Sequence, residues 1–204
     1  MTPDPKGVAD DLARDGWALR PDWLPAPLVS KLAGEALARR AAGAFHRAAV
    51  GADHRHEPAV RGDETLWLDP AAATPAQREI LERLDELRLG LNRELALGLF
   101  DLEAHFAVYP PGAGYATHLD RVRGDDARVL SVVVYLNRDW QAGDGGALRL
   151  YLETADRAPF LEAAPVGGTL VAFLSERFPH QVLPARRERL SLSGWFRRRP
   201  VGGG

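Results

Sequence analysis

The 204-residue chain contains no cysteine. That absence excludes a disulfide framework and every thiolate metal site, so any bound metal must be held by His and carboxylate side chains. The chain also lacks an apolar run approaching the length that crosses a bilayer, and Met1 to Asp10 contains no apolar leader segment. No membrane partner is expected, and a cytoplasmic location is. A strong charge of either sign is missing as well: 26 Lys and Arg stand against 28 Asp and Glu, for a formal net charge of -2. Neutralising phosphates needs a basic surface, so no nucleic-acid partner is expected. The single basic cluster, Arg186 to Arg199, reads mostly as the solvated flank of a strand.

What is present is ordinary for a globular protein. With 46% apolar and 26% charged residues the chain has the composition of a folded domain rather than a disordered one. Its length suits one domain with a full core and is short for two. A single domain over 1–204 is therefore expected. Residues 1–98 are mostly helical support, and 99–200 are mostly strand.

The helical half carries local signals. Leu28, Leu32, Ala36 and Leu37 fall at helical spacing within Pro25 to Ala42, and Gly43 follows. Thr74-Pro75-Ala76-Gln77 is a helix start, with Thr as N-cap, Pro at the first helical position and Gln as the reciprocal capping partner. The helix beyond it places Ile80, Leu84, Leu87, Leu91 and Leu95 on one stripe. Between these helices, about 43–69 is long for a connection and reads as a lid or binding loop. From Leu102 the period changes to two: Leu102, Ala104, Phe106 and Val108 alternate with Glu103, His105, Ala107 and Tyr109. Further strands are expected at Val129 to Asn137, Ala147 to Leu152, Thr169 to Leu174 and Arg189 to Arg197. Many short strands broken by turns point to a sandwich or barrel, with the helices as an outer buttress.

Four dispersed residues carry the chemistry: His118 and Asp120, then His180, then Arg189 nine positions later. Two imidazoles and one carboxylate fill one face of an octahedral metal and leave the opposite positions open, as non-haem Fe(II) oxygenases require. The H-x-D spacing is weak alone, because six His and sixteen Asp in this length give about half a match by chance. It does put both side chains on one face of an extended chain. The last strand adds weight. Its positions Arg189, Ser191, Ser193 and Trp195 alternate with Leu190, Leu192, Gly194 and Phe196. If the second set packs on the core, the first turns a cation and two hydroxyls inward. A buried arginine needs an anion, and a guanidinium holds a carboxylate bidentately. On the strand from Val129, Tyr135 shares a face with Ser131 and Val133 and adds a hydroxyl toward the same anion.

Taken together these residues resemble the 2-oxoglutarate and Fe(II)-dependent dioxygenases, and within them the prolyl 4-hydroxylases of the hypoxia-inducible-factor type and their bacterial relatives. The resemblance runs through Arg61-Gly62-Asp63 with Trp67, Tyr109-Pro110-Pro111-Gly112, Gly114-Tyr115 and His118-Leu119-Asp120. It continues through Arg128, Tyr135-Leu136-Asn137, Trp140, Gly145-Gly146 with Leu148, and His180 to Arg189 to Trp195. It implies a mainly β double-stranded β-helix, or jelly roll, forming the catalytic core over 99–200 and buttressed by N-terminal helices. His118, Asp120 and His180 would bind Fe(II). Arg189 would pair with the distal carboxylate of 2-oxoglutarate and Tyr135 would bond to it, while Tyr109 and Ser193 line the cosubstrate pocket. Arg61, Asp63, Arg128 and Trp195 resemble the family's substrate-side elements. The implied reaction couples decarboxylation of 2-oxoglutarate, with O2 as second cosubstrate and ascorbate as accessory reductant, to hydroxylation of a proline-containing protein or peptide.

Some residues depart from that pattern. His105 shares a strand face with Tyr109, where family members tend to be apolar, and reads as a pocket-lining or hydrogen-bonded histidine rather than a fourth ligand. His54 and His56 form an H-x-H pair that reads as part of a solvated loop. Competing readings are hydroxylation of a free amino acid or other small molecule, a non-catalytic jelly-roll sensor, and nucleobase demethylation. The last of these generally needs a second arginine at the position of Trp195.

Overall fold

The computed structural model describes residues 4–48, 57, 60–120, 127–153 and 159–199. Three helices form one layer. The first, α1 (Pro5–Asp15), is capped by the Asp4 carboxylate, which accepts the Gly7 N–H, and it stops at Gly16 in the left-handed conformation. A short strand β1 (Trp17–Arg20) follows, then α2 (Ala26–Ala41). Helix α3 (Pro75–Leu95) begins with the capping box expected at Thr74 and Gln77. Both capping side chains also donate to Glu35 of α2, at 2.7 and 3.1 Å, which ties the two helices together at that end. Ile80, Leu84, Leu87 and Leu91 are fully buried, as their spacing required. Leu37, within α2, is 42% exposed. The buried face of α2 is Leu28, Val29, Leu32, Ala33 and Ala36, and one further residue turns a side chain out of that stripe.

A seven-stranded antiparallel sheet lies under the helices. It comprises β1, β2 (His46–Arg47), β3 (Glu64–Trp67), β4 (Asp101–Tyr109), β6 (Arg128–Tyr135), β9 (Leu170–Leu174) and β11 (Arg189–Arg197), in the order β1-β9-β6-β11-β4-β3-β2. Its long central pair, β4 and β11, is in continuous register from Arg189 opposite Tyr109 to Arg197 opposite Asp101. Gly194 sits within that pair because a Cβ there would lie 2.6 Å from the Glu103 carbonyl oxygen. A second, four-stranded sheet has the order β5 (Tyr115–His118), β10 (His180–Val182), β7 (Leu148–Tyr151), β8 (Phe160–Ala163).

The alternation read in the sequence assigns each strand two faces. Ala104, Phe106 and Val108 of β4, Leu130, Val132 and Val134 of β6, and Leu190, Leu192 and Phe196 of β11 join the helices in the larger core. Each Val, Leu or Phe side chain among them contributes about 1.5–3 kcal/mol on burial. The opposite face of the large sheet packs Ala107, Tyr109, Tyr135, Val171 and Phe173 against Leu148, Leu150, Ala163 and Val182 of the small one. Two facing antiparallel sheets with helices outside make the expected jelly roll. The functional residues lie in the gap between the sheets.

Candidate active site

Strand pairing brings the three metal-type side chains together. β10 pairs with β5 so that His180 lies directly opposite His118, and Asp120 follows two residues beyond His118 at the strand end. One ligand atom from each of the three lies within 4.8 Å of the others. His118 Nε2 is 3.5 Å from Asp120 Oδ1, and His180 Nε2 is 3.5 Å from Asp120 Oδ2. The remaining ring nitrogens face backbone carbonyls: His118 Nδ1 meets Ala116 O at 2.8 Å and His180 Nδ1 meets Phe178 O at 3.1 Å. A carbonyl only accepts, so Nδ1 must carry the proton in both rings, and both Nε2 lone pairs point at the shared space. That is the tautomer a metal ligand needs, fixed by the backbone.

Side chains around the cluster hold it in place. Tyr115 stacks on His118 with centroids 3.6 Å apart, and Phe173 meets His180 edge-on. Ser131 donates to Asp120 Oδ2 at 2.7 Å and is itself 2.8 Å from the Ser175 hydroxyl. Burial alone would raise the Asp120 pKa, but His180, His118 and the Ser131 bond outweigh it and hold the carboxyl ionised, well below the usual range. Burial lowers the pKa of His180 and favours its neutral, metal-binding form.

A cavity of about 510 Å³ opens from this cluster, and Arg189 and Tyr109 also line it. Arg189 is 2% exposed and donates Nε–H to the Gly146 carbonyl at 2.9 Å. Gly146 has φ 69°, and a Cβ there would press on Ala185, Trp140 and the Arg189 side chain itself. The Arg189 guanidinium sits 5.0 Å from the Tyr109 ring and 5.1 Å from the Tyr135 ring. Among the described residues it has no carboxylate partner. The Tyr135 hydroxyl is buried with no hydrogen-bond partner, and its ring is not part of the cavity wall. Burial pushes the Tyr109 and Tyr135 hydroxyls to higher pKa, so both remain protonated donors. A buried guanidinium without a counter-charge beside an orphaned phenol fits an absent carboxylate-bearing ligand. Ser193, expected to line the cosubstrate pocket, is half-buried on the same wall.

The substrate-side residues occupy the rest of the wall. Arg61 grips Asp63 bidentately at 2.7 and 3.0 Å and lies over the Tyr115 ring. Burial disfavours the Arg61 charge, but the bonds to Asp63 outweigh it and its pKa is raised. Arg128 stacks 3.7 Å over Trp195, pairs with Glu103 at 2.8 Å and reaches the Asp120 carbonyl at 3.4 Å. Beside it Trp67, His105 and Trp195 form a mutually packed ring cluster, with centroids 4.7 Å apart from Trp67 to His105, 5.4 Å from His105 to Trp195 and 6.2 Å from Trp67 to Trp195.

The structure thus brings His118, Asp120, His180, Arg189, Tyr109, Ser193, Arg61, Asp63, Arg128 and Trp195 to one cavity. Tyr135 stands one layer behind, against Arg189. His105 lies on the wall and outside the three-donor cluster, but it is not hydrogen-bonded through Nδ1. His54 and His56 lie outside the described residues. Sequence reasoning overlooked Ser175 and gave Ser131 no role, although Ser131 shares a strand face with Tyr135.

Comparison with known proteins agrees with this geometry. The family model described as the 2OG-Fe(II) oxygenase superfamily matches residues 104–197. Egl nine homolog 1 of Homo sapiens is 33% identical over 147 residues, which is 67% of this chain and 33% of that protein. Prolyl hydroxylase EGLN3 of Homo sapiens is 30% identical over 155 residues, 72% of this chain and 62% of that one. The chain therefore spans about a third of the first relative and somewhat under two thirds of the second. Among solved structures, a Pseudomonas putida prolyl-4-hydroxylase is 47% identical with a TM-score of 0.86, covering 95% of this chain and 99% of that one. A Trichoplax adhaerens prolyl hydroxylase, in complex with a hypoxia inducible factor oxygen degradation domain peptide fragment, has the same TM-score at 25% identity, covering 95% and 88%. A chain that shares so much sequence with the Pseudomonas putida protein, along nearly all of both, belongs with it in the 2OG-Fe(II) oxygenase superfamily.

Proposed function

We propose that this protein is a 2-oxoglutarate- and Fe(II)-dependent prolyl 4-hydroxylase that acts on a proline-containing protein or peptide. One observation carries the reading: a His118–Asp120–His180 cluster shares one cavity with a buried Arg189 that has no carboxylate partner among the described residues. The donor set suits Fe(II), since it offers two neutral imidazole nitrogens and one ionised oxygen on one side and leaves the cavity side open. Arg189 would hold the distal carboxylate of 2-oxoglutarate, with Tyr135 and Tyr109 as hydroxyl donors and Ser193 along its length. Iron, 2-oxoglutarate and O2 together supply the oxidation that yields succinate and CO2 and places a hydroxyl on the target carbon.

The protein's own contribution is positional. Ala116 and Phe178 carbonyls set the imidazole tautomers, and Ser131 fixes the carboxylate. Leu148, Phe173 and Val182 line the same cavity and make that part of its wall apolar. Arg61, Asp63, Arg128 and Trp195 receive the substrate. The peptide assignment is supported by the prolyl hydroxylase relatives. A single domain over 1–204, ascorbate as accessory reductant and a cytoplasmic location belong to the same proposal.

The test is incubation with Fe(II), 2-oxoglutarate, O2 and prolyl peptides drawn from cellular proteins, read by mass spectrometry. Succinate should form together with peptides that gain one oxygen atom on proline. Succinate without oxygen on any prolyl residue would assign another substrate. Arg189→Met should raise the KM for 2-oxoglutarate about a hundredfold, the scale of a lost bidentate charge-assisted pair. An unchanged KM would place the keto-diacid elsewhere.

A further inference from the structure

One polar side chain on the cavity wall has no task in that scheme. His105 is 2% exposed, and its Nδ1 is buried with no hydrogen-bond partner. In the strand register it lies opposite Trp67 on one side and Ser193 on the other, so it occupies the middle of the wall. The Trp195 Nε1 in the same ring cluster is buried and orphaned in the same way. Folded proteins satisfy nearly all such groups, and leaving one unpaired costs as much as a hydrogen bond is worth.

Structural roles account poorly for this histidine. His118 and His180 show how a held imidazole looks here, each tied to a backbone carbonyl. His105 has no equivalent tie, and none of its atoms joins the three-donor cluster. Burial, reinforced by the nearby Arg61 charge, lowers its pKa to about 4, so the ring is neutral at working pH. A neutral imidazole offers one donor and one acceptor, which suits an uncharged partner better than a carboxylate or an ammonium. The indole N–H of Trp195 can only donate. The pair therefore calls for an acceptor, and a prolyl residue has a carbonyl oxygen and no N–H.

We propose that His105, with Trp195 beside it, hydrogen-bonds the substrate's backbone carbonyl oxygen next to the target residue, making His105 a substrate-binding residue that selects for a peptide chain. The proposal rests on the prolyl-peptide reading above. The two can fail separately.

The experiment uses a prolyl peptide that the wild-type enzyme hydroxylates, together with His105→Leu and His105→Asn. Peptide binding is read as fluorescence anisotropy on protein loaded with Zn(II) and 2-oxoglutarate, which does not turn over, and turnover is read on the Fe(II) enzyme. In His105→Leu the peptide Kd and KM should both rise about tenfold, one neutral hydrogen bond's worth, while the KM for 2-oxoglutarate stays put. Its Tm should be equal to or above wild type, since an orphaned polar group has gone. His105→Asn, which keeps a polar atom near the Nδ1 position, should recover most of the loss. An unchanged peptide Kd in His105→Leu overturns the proposal. So does a parallel rise in the 2-oxoglutarate KM, which moves His105 into the cosubstrate pocket, or a fall in Tm with every constant altered, which makes it structural. If the wild type forms succinate but oxidises no prolyl peptide, the function reading fails and takes this assignment with it. If the wild type hydroxylates the peptide and His105→Leu matches it, only the present inference fails.

Discussion

The two faces of the large sheet are made from the same strands and obey opposite rules. On the helix side, Phe106, Leu130, Val134, Leu192 and Phe196 are completely buried and wholly apolar. On the cavity side the same strands bury His105, Tyr135, Arg189 and Ser191, and polar atoms of His105, Tyr135 and Trp195 lack partners. The helix face is apolar throughout, and in the core it builds with the helices the indole Nε1 of Trp23 is a buried polar atom without a partner. The cavity face violates several requirements of a stable core, and such local violations concentrate where a fold works on a ligand. Stability and function are thus divided by the period of two, residue by residue along β4 and β11.

Neighbouring substitutions on β4 test that division most directly. Phe106→Ala should destabilise the fold by about 3–5 kcal/mol, because it removes a fully buried ring and leaves a cavity. Affinity for metal and 2-oxoglutarate in the folded fraction should not change. His105→Leu, one residue away and facing the other side, should cost no stability. Urea unfolding midpoints of the two variants decide the matter, and similar losses in both would erase the distinction between the faces.

The same periodicity explains what could be read without coordinates. The alternation in Arg189 to Trp195 placed a cation and hydroxyls on the cavity side, and the Thr74 to Gln77 cap fixed the start of α3, because both are local patterns with a definite period. Helix α1 and strands β1, β2, β3, β5, β8 and β10 carry no such signal, and β2 and β3 correct the reading of about 43–69 as a loop, since both pair into the large sheet. β10 has only three residues, His180 to Val182, too few to show a period, although it carries a central site residue. Leu37 fits the helical spacing of α2 and yet faces solvent, since the apolar stripe is set by what the helix packs on. The bond between Ser131 and Ser175 spans 44 residues and links two ordinary serines, and nothing in composition or spacing marks it. The alternation in β6 puts Tyr135 on the cavity side, and the structure sets its ring 5.1 Å from the Arg189 guanidinium and off the cavity wall.

Acid sharpens the contrast between the faces, because only one of them titrates. His105 ionises near pH 4 when folded and near 6.5 when unfolded, as burial and Arg61, with Arg128 assisting, outweigh the attraction of Asp63 and Asp120. Between those values the unfolded chain binds a proton that the folded chain refuses. Protonation of the unfolded chain at this residue therefore costs the fold nothing above about pH 6.5, destabilises it increasingly as pH falls toward 4, and adds no further loss below that. The full acid-induced loss is roughly 3 kcal/mol. Unfolding free energies of metal-free wild type and His105→Leu, compared at pH 7 and 4.5, should diverge as the pH drops, with the variant less acid-sensitive. Parallel curves would mean that the ring reaches solvent or an acceptor when folded.

The smallest effect concerns the hydroxyl pair behind the cluster. The Asp120 carboxylate can only accept, so Ser131 must give its proton to Oδ2, and Ser175 must in turn donate to Ser131. The relay has one possible direction, and it fixes the carboxylate plane relative to the two imidazoles. Ser131→Ala frees that plane and leaves the buried Ser175 hydroxyl without its acceptor. Metal affinity should fall about tenfold, the lower end of the range for partners that orient a ligand, and stability by about 1 kcal/mol. Anaerobic Fe(II) titration should show the loss, while the affinity for 2-oxoglutarate at saturating metal stays unchanged because Arg189 is untouched. Ser131→Thr keeps the donor and should restore iron affinity. If it does not, the hydroxyl serves packing and the orientation of Asp120 comes from the β5 backbone alone.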